Sequence, residues 1–107
     1  MIECALYGFD FNDCGGRIHR HHIINRGKLR GNVSAKIYCD TLPHIFIAEV
    51  CEWHNVMRWA DTKEARKYLF LQKVAEHGEE AVIEAINNIP WKVVPHELTY
   101  DGIMAAD

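Results

Sequence analysis

Four cysteines and seven histidines in a chain of 107 residues constrain this protein more than any other feature of its sequence. A chain this short buries only about 60 to 70% of the surface its unfolded form exposes, so its core is modest and is often reinforced by a metal or a partner. The opening Met1-Ile2-Glu3-Cys4 lacks the basic region and apolar core of an export signal. This predicts a cytoplasmic protein, in which thiols stay reduced and a disulfide framework is not expected. Metal ligation is then the leading use of the cysteines. Cys51 and His54 have the C-x-x-H spacing that lets two ligands at the start of a helix reach one ion, while Cys4 and Cys14 flank a loop that ends in Gly15-Gly16. Together they make a Cys3His set suited to tetrahedral zinc. Cys39 is assigned to packing, since a free cysteine behaves as a small hydrophobe. A four-thiol set of Cys4, Cys14, Cys39 and Cys51, leaving His54 free, is the alternative. A structural zinc ion can contribute an apparent ~10 to 16 kcal/mol to folding, and here it would pin the N-terminal loop to the first helix.

Apolar residues make up 49% of the chain and charged ones 25%, which argues against disorder. No apolar stretch approaches the roughly 18 residues of a membrane helix. The net charge of −3 conceals an asymmetry. From Cys14 to Cys39 there is no acidic residue, and the window holds Arg17, Arg20, Arg26, Lys28, Arg30 and Lys36, a local charge of +6. The rest of the chain carries −9. A basic window interleaved with His and Gly points to an anion-binding site.

One domain over residues 1–107 is expected, with a zinc-binding part over 1–60 and a helical extension over 61–107. A strand is expected over Arg17–Ile24, ending at the turn signal Asn25-Arg26-Gly27. A loop follows to Ser34, then a short extended piece over Ala35–Cys39. The β-branched run Ile45–Val50 reads as the second strand. Beyond it the period changes. A helix is expected over Cys51–Ala60, and a second over Thr62–Glu76, with Asp61 and Glu64 as a capping box and Gly78 as its stop. A third, Glu79–Asn87, is closed by Pro90, and the tail from Trp91 onward reads as extended or irregular. The aromatic residues Trp53, Trp59, Tyr68 and Phe70 are expected in the core. The C-terminal helices could form a helix-turn-helix reader, but Glu76, Glu79, Glu80 and Glu84 would repel DNA.

The series Cys4, Cys14-Gly15-Gly16, His21-His22-Ile23-Ile24-Asn25-Arg26-Gly27, Asn32, Cys51-Glu52-Trp53-His54-Asn55 resembles the zinc-containing, phage-type HNH endonucleases over about half the chain, Cys4 to Trp59. The resemblance implies an α+β fold, a zinc-stabilised ββα-metal core with two additional C-terminal helices. It implies a metal-dependent DNA endonuclease that leaves a 5′-phosphate and a 3′-hydroxyl. Carried onto this chain, it places the general base on His22, the catalytic cation on His21 and Asn55, and the zinc on Cys4, Cys14, Cys51 and His54. Asn55 stands where the family usually has His, as in junction resolvases of the endonuclease VII type. In the other alignment His54 holds the catalytic cation and the zinc site is degenerate. The middle Asn, which shapes the loop around the base, falls on Asn32, with Asn25 as the second choice, and Arg58 falls on the family's Lys.

The chemistry suits these residues on its own terms. A neutral imidazole has an ordinary pKa near 6.5 and accepts a proton near pH 7, as a base at His22 must. A site of two neutral ligands completed by waters and phosphate oxygens suits Mg²⁺ or Mn²⁺, with Co²⁺ or Ni²⁺ as substitutes favoured by the imidazole. His21 and His22 are adjacent, so both can address one phosphate only if the strand ends or bulges there. Arg26, Lys28, Arg30 and Arg58 would hold phosphates with little sequence preference. The expected partner is DNA, in a bacterial host cell if the chain is phage-borne. A domain of this size has little surface for reading many base pairs, so strict specificity calls for a homodimer or a partner protein from phage or host. The rival is a zinc-stabilised DNA-binding or protein-interaction module of the same fold without nuclease activity. A third candidate is a nuclease directed at RNA.

Overall fold

The computed structural model describes residues 4–106, apart from the side chain of Arg26. Two strands form its only sheet among the described residues, β1 (Ile18–His22) and β2 (Ile47–Cys51). They pair antiparallel, with Ile18 opposite Cys51 and His22 opposite Ile47. Both expected strands are present, β1 shorter at each end and β2 beginning two residues later and ending one later than expected. β1 stops at His22 and bends through Ile23 and Ile24, whose side chains turn into the core. This end is what an adjacent histidine pair needs in order to face one cleft.

The connection between the strands is helical. A 3-10 turn covers Arg26–Leu29, followed by α1 (Val33–Asp40) and the single turn α2 (Pro43–Phe46). The extended piece expected over Ala35–Cys39 is therefore a helix. Asn32 starts it, its side-chain oxygen accepting from the Ala35 amide at 3.0 Å. Ala35 and Cys39, four residues apart, are the two side chains that α1 buries.

After β2 the chain turns directly into α3 (Glu52–Val56). The helix expected to run on to Ala60 ends here, because Arg58 adopts the left-handed conformation with φ 63° and reverses the chain into a 3-10 turn over Trp59–Asp61. α4 (Lys63–His77) is capped by Thr62, whose hydroxyl accepts from the Ala65 amide, rather than by Asp61. α5 (Glu79–Asn87) follows Gly78 at φ 94°. The tail holds a further helix, α6 (Tyr100–Met104), capped by Thr99, so three helices and not two follow the N-terminal part.

One hydrophobic cluster runs from Cys4 and Leu6 through Phe46, Val50, Leu69 and Phe70 to Leu98 and Ile103. Both parts of the chain thus share a core, with the Phe46 and Phe70 rings edge to face at 6.1 Å. Phe70 is buried and Trp59 and Tyr68 are partly so, but Trp53 is 49% exposed. Its ring instead covers the loop at Gly15, where an added Cβ would lie 2.4 Å from the indole. No helix is long and apolar enough to cross a membrane among the described residues.

Candidate functional site

The start of α3 is where the N-terminal loop meets the sheet. The first helical amides need acceptors from outside the helix, and the Glu52 amide donates to the Arg17 carbonyl at 2.7 Å and the Trp53 amide to the Gly15 carbonyl at 3.2 Å. The His54 amide donates to the Cys51 sulfur at 3.5 Å. Gly16, at φ 78°, lies so close to Glu52 that an added Cβ would come within 2.6 Å of its side chain. The Gly15-Gly16 pair lets Cys14 approach the helix.

This approach gathers Cys4, Cys14, Cys51 and His54, with all four ligand atoms within 4.8 Å of one another. The Nδ1 of His54 lies 3.7 Å from the sulfur of Cys4, 3.8 Å from that of Cys14 and 3.1 Å from that of Cys51. A zinc tetrahedron has ligand-to-ligand edges of about 3.5 to 3.8 Å, so the residues fit the ion. The cluster could hold a metal such as zinc, and it is the Cys3His set expected from the sequence. Cys39 lies outside it, buried, and its thiol is pushed up to about 12 by burial and then by Asp40. The four-thiol alternative therefore does not form.

Asp10, which sequence reasoning missed, completes the centre. Its Oδ1 lies 3.1 Å from Nε2 of His54. A carboxylate there holds the proton on Nε2 and leaves Nδ1 free to ligate, the usual support for a metal-bound imidazole. Asp10 titrates below its ordinary value, because hydrogen bonds from His54 and Asn12 outweigh the upward push of burial.

The thiols and the imidazole of the centre shift one another's protonation. Burial alone would raise the Cys51 thiol, but the His54 backbone and side chain and the Gly15 backbone bring it down to about 6. His54 is raised in spite of burial by Cys51 and Asp10, and burial with the neighbouring Cys4 and Cys51 pushes Cys14 up to about 12. Zinc requires thiolates and a neutral imidazole, so Cys14 and His54 must both lose protons on binding. Zinc affinity is therefore expected to rise between pH 6 and 8, by at least about tenfold per pH unit. Competition against a chromophoric chelator measures this, and a flat profile would exclude ligation by these groups.

Next to α3 a cleft of about 220 Å³ is lined by Arg20, His21, His22, Asn25, Asn55 and Asp61. It brings together both adjacent histidines and the helix asparagine singled out in the sequence. His21 is only 5% exposed, and its Nε2 has no hydrogen-bond partner among the described residues. The Oδ1 of Asp61 stands 3.7 Å from that nitrogen, too far for a hydrogen bond. It is within the roughly 3.0 to 4.2 Å that separates two ligands of one six-coordinate cation. Burial lowers the His21 pKa more than Asp61, Asn55 and the Ala60 backbone raise it, which favours the neutral imidazole that a metal requires. The Nδ2 of Asn55 lies 2.9 Å from Nδ1 of His19, so its amide is anchored between His19 and His21. His21, Asn55 and Asp61 thus line one cleft together. His22 lies at the end of β1, its Nε2 3.5 Å from Oδ1 of Asp40.

Other expected residues lie elsewhere. Asn32 caps α1 and donates to the Pro90 carbonyl at 3.1 Å, and it does not line the cleft. Asn25, the second choice, does line it and accepts from the Gly27 amide. Since α3 ends at Val56, Arg58 is not one helical turn along from Asn55. It is 81% exposed, with Nε 3.9 Å from Asp61. Lys28 pairs with Glu97 at 3.6 Å, Arg30 is exposed, and the side chain of Arg26 lies outside the described residues. Besides Asp10, sequence reasoning assigned no part in the site to His19 or Asp40, counted Arg20 only in the basic window and read Asp61 only as a helix cap. Comparison with models of protein families, with curated proteins and with solved structures gives no match for this chain.

Proposed function

We propose that the protein is a metal-dependent endonuclease acting on DNA through a single cation and a histidine base. The observation that carries this reading is the cleft itself, where a buried, unpartnered His21 nitrogen, a carboxylate and an oriented amide converge beside a second histidine. In the proposed mechanism His21, Asn55 and Asp61 hold the cation, which when bound supplies Lewis-acid stabilisation of the charge that develops on the phosphorus oxygens. His22 takes the proton of the attacking water and Asp40 orients its ring. Arg20 holds the phosphate in the cleft, and the basic window adds a positive field that draws the strand toward it. Asn25 shapes the turn after β1, the task the sequence had given to Asn32.

The metal centre plays no chemical part in this scheme. It fixes α3, and with it Asn55, against the N-terminal loop. Nicking of supercoiled plasmid with Mg²⁺ or Mn²⁺ tests the proposal, comparing wild type with His22→Ala. Cleavage by the wild type that drops in the variant while DNA binding persists is the expected result. Equal residual cleavage by both would reveal a contaminant. DNA binding without cleavage would favour a module that has the site's shape and not its chemistry.

A further inference from the structure

Arg66 is buried to 7% exposure on α4, yet its Nε has no hydrogen-bond partner among the described residues. It lines a cavity of about 370 Å³ that also contains Lys28, Lys63, Asp61 and Glu97 and is closed by the end of α6. A guanidinium carries five donors, and burying one without acceptors is costly. The two acids of the cavity do not remove this cost. Glu97 stands 3.6 Å from Lys28, and Asp61 stands 3.7 Å from His21 and 3.9 Å from Arg58. They act on Arg66 only at long range, against the burial that disfavours its charge. Lys67, one residue on, is occupied by the Ala106 carbonyl. That leaves Arg66 and Lys63, three residues apart at the start of a 15-residue helix, as cations in search of an acceptor. The helix N-terminus adds to the attraction for an anion.

We propose that this cavity is a second phosphate-binding subsite, separate from the cleft, in which Arg66 and Lys63 hold a phosphodiester of the nucleic-acid strand. The strand is the favoured source because Asp61 is a wall of both spaces, so a backbone lying in the cleft passes beside the cavity that holds Arg66. The cavity has no aromatic wall on which a base could stack, and its remaining lining is Gly102, Ile103, Ala105 and Ala106. It therefore reads the phosphate and not the sequence. This assignment of the strand rests on the nuclease reading, whereas the affinity for phosphate does not.

The test uses the full zinc-loaded chain without added magnesium, following backbone amide shifts on titration with inorganic phosphate and, separately, with a short DNA oligonucleotide. Both ligands are expected to shift Lys63, Arg66, Ala105 and Ala106. Lys63→Gln, at an exposed position where folding is not at stake, should weaken oligonucleotide binding equally for all sequences. It should also lower the slope of log affinity against log salt by about 1. Phosphate shifts without oligonucleotide shifts would overturn the strand and leave a site for a free anion. Oligonucleotide shifts confined to His21, His22 and Asn55 would overturn the subsite while the nuclease reading stands. An oligonucleotide that shifts neither region would overturn both.

Discussion

Stripping zinc from the protein, or replacing Cys51 with Ser, is expected to unfold the chain rather than loosen one loop. A structural zinc site is worth an apparent ~10 to 16 kcal/mol, against a total stability of about 5 to 15 kcal/mol for a typical domain. Apart from the burial of Leu6 and the Phe9 ring against Tyr68, the N-terminal segment is held by the Ala5 amide on the Glu49 carbonyl, Gln72 on the Ala5 carbonyl, and the two loop carbonyls that cap α3. Cys4 and Leu6 belong to the same core as Leu69 and Phe70, so releasing the loop opens that core to water. Cys51 also caps α3 through its sulfur, so its loss removes a ligand and a cap together. Cys39→Ala is the control. It trims a buried thiol at about 1 kcal/mol or somewhat more and should leave one zinc per chain. Metal content together with thermal unfolding in the presence and absence of chelator decides the matter. A chelated protein that melts at the same temperature would show that the cluster is four packed side chains and nothing more.

The cluster was legible in the sequence because zinc ligation demands particular residue types at short spacing, and C-x-x-H beside Cys14-Gly15-Gly16 satisfies that demand before any packing is known. The two strands were legible for a similar reason, their β-branched runs being bounded by turn residues. α1 was not, although its signals were present. Asn32 three residues before Ala35 is an N-cap pattern, and Ala35 with Cys39 is a helical pair. The isoleucine and tyrosine between them, at home in a strand, drew the expectation toward extended chain. Tertiary packing decides such cases. Asp61 was hidden by a different cause. Six residues beyond Asn55, it reaches the cleft only because Arg58 takes the left-handed conformation and folds the chain back. No periodicity announces a non-glycine residue at positive φ. The same reversal carries Arg58 outward, so one backbone torsion both removes a cation from the expected helix face and supplies an unexpected carboxylate. Asp10 was invisible because its partner His54 lies 44 residues away in the chain.

The two adjacent histidines are expected to fail in different ways, and this difference separates a cation ligand from a base. His21→Ala removes a buried nitrogen from the donor set but leaves Asn55, Asp61 and His22 in place. Cleavage should then need a higher concentration of Mg²⁺ or Mn²⁺, with half-saturation moving upward by about 10- to 100-fold on the scale of lost metal-site contacts. Much of the activity should return at saturating Mn²⁺, and Asp61→Asn should behave alike, since it too weakens the site without touching the base. His22→Ala should lower cleavage by about 10²- to 10⁴-fold, the usual contribution of a positioned general base, and no concentration of metal should restore it. The magnitudes overlap at low metal, so the titration and not the single rate is the measurement. If His22→Ala were rescued by Mn²⁺ and His21→Ala were not, the roles would be exchanged. Asp61 would then support a base at His21, 3.7 Å away, instead of sharing a cation with it.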